Sequence, residues 1–93
     1  MDHDTTIRQI GPLNLAACGA RNFVGDIDSL MFQVGSKKGL LEKLIIRVGM
    51  FDTYSVRYVA MKKSDYSVIA EEEIQMVYAD RLGEIVRKMG DRA

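Results

Sequence analysis

The sequence predicts an α+β domain: a short N-terminal helix, an antiparallel sheet of about four strands, and a C-terminal amphipathic helix packed on the sheet. Three observations predict it. Between Leu30 and Glu72 apolar residues recur every second position, and the run is broken by short polar and glycine-containing segments. From Tyr78 to Met89 the period changes to that of a helix. The composition, 47% hydrophobic and 28% charged with 8 Gly and 1 Pro, is that of a chain that buries a core. At 93 residues there is room for one such core, so residues 1–93 are expected to form a single domain.

The elements follow in order. Asp4-Thr5-Thr6 offers side-chain oxygens to cap a helix, Ile7 and Ile10 share its face, and Gly11-Pro12 ends it after little more than one turn. The stretch from Leu13 to Phe23 supports two readings: Leu13, Leu15 and Ala17 alternate as in a strand, whereas Leu and Ala favour a helix. Gly19, Gly25, Asp26 and Asp28 mark a connection rich in turns. Leu30, Phe32 and Val34 then form a strand, and Gly35-Ser36-Lys37-Lys38-Gly39 is a hairpin loop. The next strand covers about Glu42 to Val48, where β-branched Ile45, Ile46 and Val48 cluster. After Met50-Phe51-Asp52, Thr53 to Met61 is the strongest strand, with Tyr54, Val56 and Tyr58 on one face. Lys62 to Asp65 turns the chain into a last strand from Tyr66 to about Glu72, whose Glu71-Glu72-Glu73 run fits a solvated edge. In the final helix Tyr78, Leu82, Ile85, Val86 and Met89 make one apolar stripe, Gly90 closes it, and Arg87 and Lys88 complement its dipole.

That stripe needs a sheet face, which Phe32, Leu44, Ile46, Val56 and Tyr58 supply. The opposite face carries Met31, Ile45, Val59, Met61 and Ile69 among Gln33, Arg47, Ser55 and Arg57, and an apolar patch of that kind is seldom left in water. Either the first twenty or so residues fold back over it, burying Ile7, Ile10, Leu13 and Leu15, or a second subunit covers it in a homodimer.

Most chemistry is excluded by count. One Cys and one His build neither a disulfide, a closed Cys/His zinc site nor a redox pair within one chain, and a lone histidine leaves no base for a serine triad. Cys18 with His3 would need hydrogen-bond reach and an orienting third group, and Cys18 reads as a small packed residue. Asp26 and Asp28 suit turn formation better than a cation, since the further ligands of a calcium loop are missing. Gly35 to Gly39 lacks the Gly-Lys-Ser/Thr ending of a phosphate-binding loop. No enzyme, cofactor or metal site is therefore expected. The 13 Lys and Arg balance the 13 Asp and Glu, so binding to nucleic acid needs a local patch, for which Lys37, Lys38, Lys43, Lys62 and Lys63 are the candidates, although no aromatic residue reads as their stacking partner. No apolar run is long enough for a membrane span and the start Met1-Asp2-His3-Asp4 is acidic, so the cytoplasm is the expected location.

Five blocks, Ile7-Arg8-Gln9-Ile10-Gly11, Gly19-Ala20-Arg21-Asn22-Phe23-Val24, Ser29-Leu30-Met31-Phe32, Asp52-Thr53-Tyr54-Ser55-Val56 and Val77-Tyr78-Ala79-Asp80-Arg81-Leu82, occur in an order that resembles a family of small uncharacterised proteins of tailed bacteriophages and prophages. The chain departs from that family at Leu13 to Cys18, where bulkier β-branched residues are more usual. The resemblance implies origin and fold, with no assigned activity; a host bacterial cell would be its setting. The expected function is stoichiometric binding of a bacterial or phage protein, an inhibitor of a defence or regulatory complex being one member of that class. Its surface would comprise Met31, Ile45, Val59 and Met61 with the polar pair Arg21 and Asn22, which no core position claims. A nucleic-acid accessory protein using the lysine-bearing hairpin tips is the alternative.

Overall fold

A computed structural model describes residues 1–91. Their elements run α1 (His3–Ile10), α2 (Pro12–Ala17), β1 (Arg21–Gly25), β2 (Ser29–Val34), β3 (Leu40–Val48), a one-turn segment Met50–Asp52, β4 (Tyr54–Lys62), β5 (Val68–Val77) and α3 (Ala79–Gly90). The architecture is α+β, as expected, but the antiparallel sheet has five strands in the order β1-β2-β3-β4-β5, a pure meander. The additional strand comes from the segment that supported two readings. Pro12 starts a helix at its favoured first position, and after Gly19, at φ 67°, the chain emerges as β1.

Other boundaries move for local reasons. α1 begins two residues after Met1 because Asp2 is its cap, Oδ1 accepting from the amides of Asp4 and Thr5 at 3.1 and 3.3 Å. β5 runs on to Val77 and is, at 10 residues, longer than β4 at 9. Tyr78 is thus the cap residue of α3 and 55% exposed, outside the buried stripe. Gly90 is a buried residue within α3 instead of its terminator, since an added Cβ would lie 2.5 Å from the Cβ of Cys18.

Leu30, Phe32, Leu44, Ile46, Val56 and Tyr58 point to one face, where Leu82, Val86 and Met89 of α3 meet them with Ile10, Leu15 and Cys18 of the N-terminal segment. The expectation that the N-terminus folds over the other face is therefore wrong, and geometry supplies the reason. Five strands at about 4.8 Å spacing are roughly 20 Å wide, twice the width of one helix. A single α3 leaves half of the apolar face bare, and α1 with α2, packed beside it, covers the rest. The approach is close: a Cβ on Gly83 would collide with the carbonyl oxygen of Ile10 and stand 2.5 Å from Nδ2 of Asn14, whose amide donates to that same carbonyl at 2.8 Å. Leu13 has no place in this layer and is 82% exposed.

Thr6, Glu42 and Thr53 are the buried polar residues among those described, and the acidic one enters the core unannounced. Glu42, read as the start of a strand, is buried on the helix-covered face, where Tyr58 donates its hydroxyl at 2.6 Å. No buried side-chain polar atom among the described residues lacks a partner.

The β3–β4 connection is a tight turn with Phe51 (φ 57°, ψ 39°) and Asp52 (φ 56°) in the left-handed region, closed by the Thr53 amide donating to Met50 at 3.1 Å. Two positive φ angles at these positions suit Asn-Gly and strain a bulky aromatic. Replacing Phe51-Asp52 by Asn-Gly is expected to stabilise the fold by about 1–2 kcal/mol, seen as a rise of several degrees in thermal unfolding; an unchanged or lower midpoint would contradict it.

Candidate functional surfaces

All three described helices lie on one side of the sheet, so its other face is bare. Cross-strand registry sorts that face into rows. One runs Val24–Met31–Ile45–Arg57–Glu73, the next Gln33–Lys43–Val59–Glu71, with Leu41 and Met61 paired beyond it. The predicted set Met31, Ile45, Val59 and Met61 is thus brought together on one surface. Met31, Ile45 and Met61 are half-buried, but Val59 is only 8% exposed and offers a partner little, because longer Lys43 and Glu71 flank it on the neighbouring strands. Arg57 and Glu71 form an ion pair across this face, both half exposed. Ile69, 49% exposed, falls where the β4–β5 register shifts.

Arg21 and Asn22 are both exposed at the start of β1, one of the two edge strands. Asn22, at φ 56°, forms the bulge that shifts the β1–β2 register and donates to Oε1 of Gln33 at 2.9 Å, while Arg21 donates to the Gly19 carbonyl at 3.0 Å. Their polarity is thereby explained by the bulge and its approach. Asp26 and Asp28 stand beyond the other end of β1, so those four residues make no common cluster, and no group of three or more metal-ligating side chains occurs among the described residues. His3 and Cys18 are equally far apart in role. His3 Nε2 lies 2.8 Å from the Asp26 carbonyl at one end of the sheet, and Cys18 is buried under Gly90 at the other, where burial pushes its thiol pKa up and away from a reactive thiolate.

The meander also sorts charge. Its β1–β2 and β3–β4 turns fall at one end with the start of α1, and its β2–β3 and β4–β5 turns at the other with the end of α3. Exposed Asp2, Asp4, Asp26, Asp28, Asp52 and Asp80 accordingly gather at the first end, and exposed Lys37, Lys38, Lys62 and Lys63 at the second. Along a molecule 38 Å in its longest extent, zero net charge conceals an uneven distribution, tempered by exposed Arg47 and Arg81 at the first end and Asp65 and Asp91 at the second. The two lysine tips are joined directly, the Lys63 amide donating to the Gly39 carbonyl at 2.9 Å. Lys43, expected with them, instead stands on the bare face between Gln33 and Val59.

Sequence reasoning missed a group of highly exposed apolar side chains apart from Leu13. Ile27 is 86% exposed, Phe51 76% and Met50 71%, with Val48 beside them at 43%, all at the acidic end. The β1–β2 turn and the end of β3 are held together there by the Val48 amide, which donates to the Asp28 carbonyl at 3.0 Å. The available signal was bulky apolar residues in connections where polar ones are usual.

No helix among the described residues is long and apolar enough to cross a membrane. Compared with known proteins, the chain matches no family model, no curated protein and no solved structure.

Proposed function

We propose that this chain is a phage- or prophage-derived protein that acts without catalysis, by stoichiometric binding of a bacterial or phage protein, as an inhibitor of a host defence or regulatory complex does. The observation that carries the reading is the bare sheet face with Met31, Ile45 and Met61 half-buried on it, next to an end where Ile27, Met50 and Phe51 project. Exposed Asp26, Asp28 and Asp52 are neighbours of those three side chains in the same two turns, so the partner that fits presents an apolar groove rimmed by Lys or Arg. The strained Phe51 supports the same reading: a turn selected for stability alone would not hold an exposed aromatic there. The phage-like blocks support the origin.

The test is co-purification from host lysate, followed by titration of the recovered protein against variants. Ile45→Lys is expected to abolish binding if the face is the contact and Phe51→Lys if the end is, each by placing an unpaired charge in an apolar contact. Recovery of nothing at stoichiometric level from several hosts, or binding untouched by both changes, sinks the proposal. A second copy of the chain is one candidate occupant of the face. Light scattering behind a sizing column gives about 10.5 kDa if it is free and twice that in a homodimer, which Ile45→Lys would split.

A second reading, contact with nucleic acid, is favoured by the union of the two lysine-bearing tips at one end. The surfaces are different, so either can be tested with the other intact.

A further inference from the structure

The basic end contains a residue that the sequence did not connect with the lysines. Tyr66 sits in the β4–β5 turn, 68% exposed, with φ 58°. Its amide donates to the Lys62 carbonyl at 2.8 Å, and the Lys62 amide donates to the Ser67 carbonyl at 3.0 Å, so the backbone that carries the aromatic ring is tied to the strand end that carries Lys62 and Lys63. Lys37 and Lys38 are on the adjoining tip, which the Lys63–Gly39 hydrogen bond holds in place. The left-handed conformation is costly for an aromatic residue, whereas Asn or Gly would adopt it readily. The turn does not need the ring: Asp65 Oδ1 already closes it by accepting from the Ser67 amide at 3.0 Å and its hydroxyl at 2.8 Å. Those bonds hold the Asp65 carboxyl below the usual carboxylate range, with Ser67's hydroxyl as the main cause, and they turn it toward its own loop. Arg87 and Lys88, in the last turn of α3, add positive charge at the same end, against Asp91.

We infer that this end binds single-stranded nucleic acid, with Lys37, Lys38, Lys62 and Lys63 contacting phosphates and Tyr66 stacking on an unpaired base. The chemistry is specific to single strands. Phosphate contacts alone serve either form, but a ring projecting from a hairpin tip reaches a base face only where the base is unstacked. This inference rests on the second reading above and goes beyond it by assigning the aromatic residue and the strand form.

The experiment is fluorescence anisotropy with an end-labelled 20-nucleotide oligothymidylate and a duplex of equal length, in low and high salt. The single strand is expected to bind at least tenfold more tightly than the duplex, and binding to weaken steeply with salt. Tyr66→Ala is expected to reduce affinity by about 5- to 160-fold with the salt slope unchanged, since stacking is worth roughly 1–3 kcal/mol per base. Lys62→Gln or Lys63→Gln is expected to lower the slope by about 0.7 for each phosphate no longer neutralised. Tyr66→Asn guards against a folding artefact: it relaxes the turn, so it is expected to melt no lower than the parent while binding as poorly as Tyr66→Ala. No anisotropy change with either probe in low salt overturns both this inference and the reading beneath it. Binding that weakens in the lysine variants but not in Tyr66→Ala, or that favours the duplex, overturns the stacking role and leaves phosphate contact standing. Displacement by polyglutamate at equal charge concentration would reduce the site to bare positive charge and overturn the assignment.

Discussion

Gly83→Ala is expected to lower the stability of this domain by about 2–3 kcal/mol, although alanine is the better helix former. Propensity alone predicts a gain of about 1 kcal/mol, because glycine is the costlier residue in a helix interior. The contact decides otherwise. The new Cβ would overlap the Ile10 carbonyl oxygen and crowd Asn14 Nδ2, both of them fixed by the 2.8 Å hydrogen bond between them. The Ile10 carbonyl is backbone and cannot swing aside as a side-chain end can, so α1 and α3 must separate, loosening Ile10 and Leu82 in the core. At about 4–8 °C per kcal/mol for a domain of this size, thermal unfolding should fall by about 10 °C or more. An unchanged or raised midpoint would show that the helices are not packed this closely.

Tyr58→Phe is the second large effect. It removes the hydroxyl that donates to Glu42 at 2.6 Å inside the core and leaves a buried carboxylate short of a partner, for a loss of about 2–3 kcal/mol by denaturant unfolding. Adding Glu42→Leu should restore much of that loss, because replacing both members by apolar groups removes the unsatisfied acceptor along with the donor. The double variant therefore separates two accounts. If it is no more stable than Tyr58→Phe, the cost lies in packing around the ring rather than in the stranded carboxylate.

How much was legible beforehand divides along the range of the forces. The alternation of Leu30, Phe32 and Val34 and of Tyr54, Val56 and Tyr58, with the stripe Leu82, Val86 and Met89, determined which residues meet in the core, because burial imposes a period of two on a strand and of 3.6 on a helix. The same alternation placed Met31, Ile45, Val59 and Met61 together on the opposite face. Residues 13–23 could not be resolved by period because the segment is half helix and half strand, broken at Gly19. Glu42 carried no local signal at all: its burial depends on Tyr58, sixteen residues away on the next strand.

The surfaces were legible in part. Each lysine pair could be seen in the sequence, but their union at one end depends on the meander returning every second turn to the same side, and Lys43 could be excluded only once its register with Val59 was known. Charge totals say nothing of this, since a sum of zero is the same whether opposite charges are mixed or lie at opposite ends. Tyr66 and Phe51 read as ordinary members of a strand start and a loop, and only their backbone angles and exposure set them apart. The sequence by itself thus determined the element types and the partition of each strand into two faces, because periodicity is a local record of burial. Which face the N-terminal helices would cover was decided by the tertiary structure, where a sheet about two helices wide could be closed on one side only by placing α1 and α2 against α3 across Gly83.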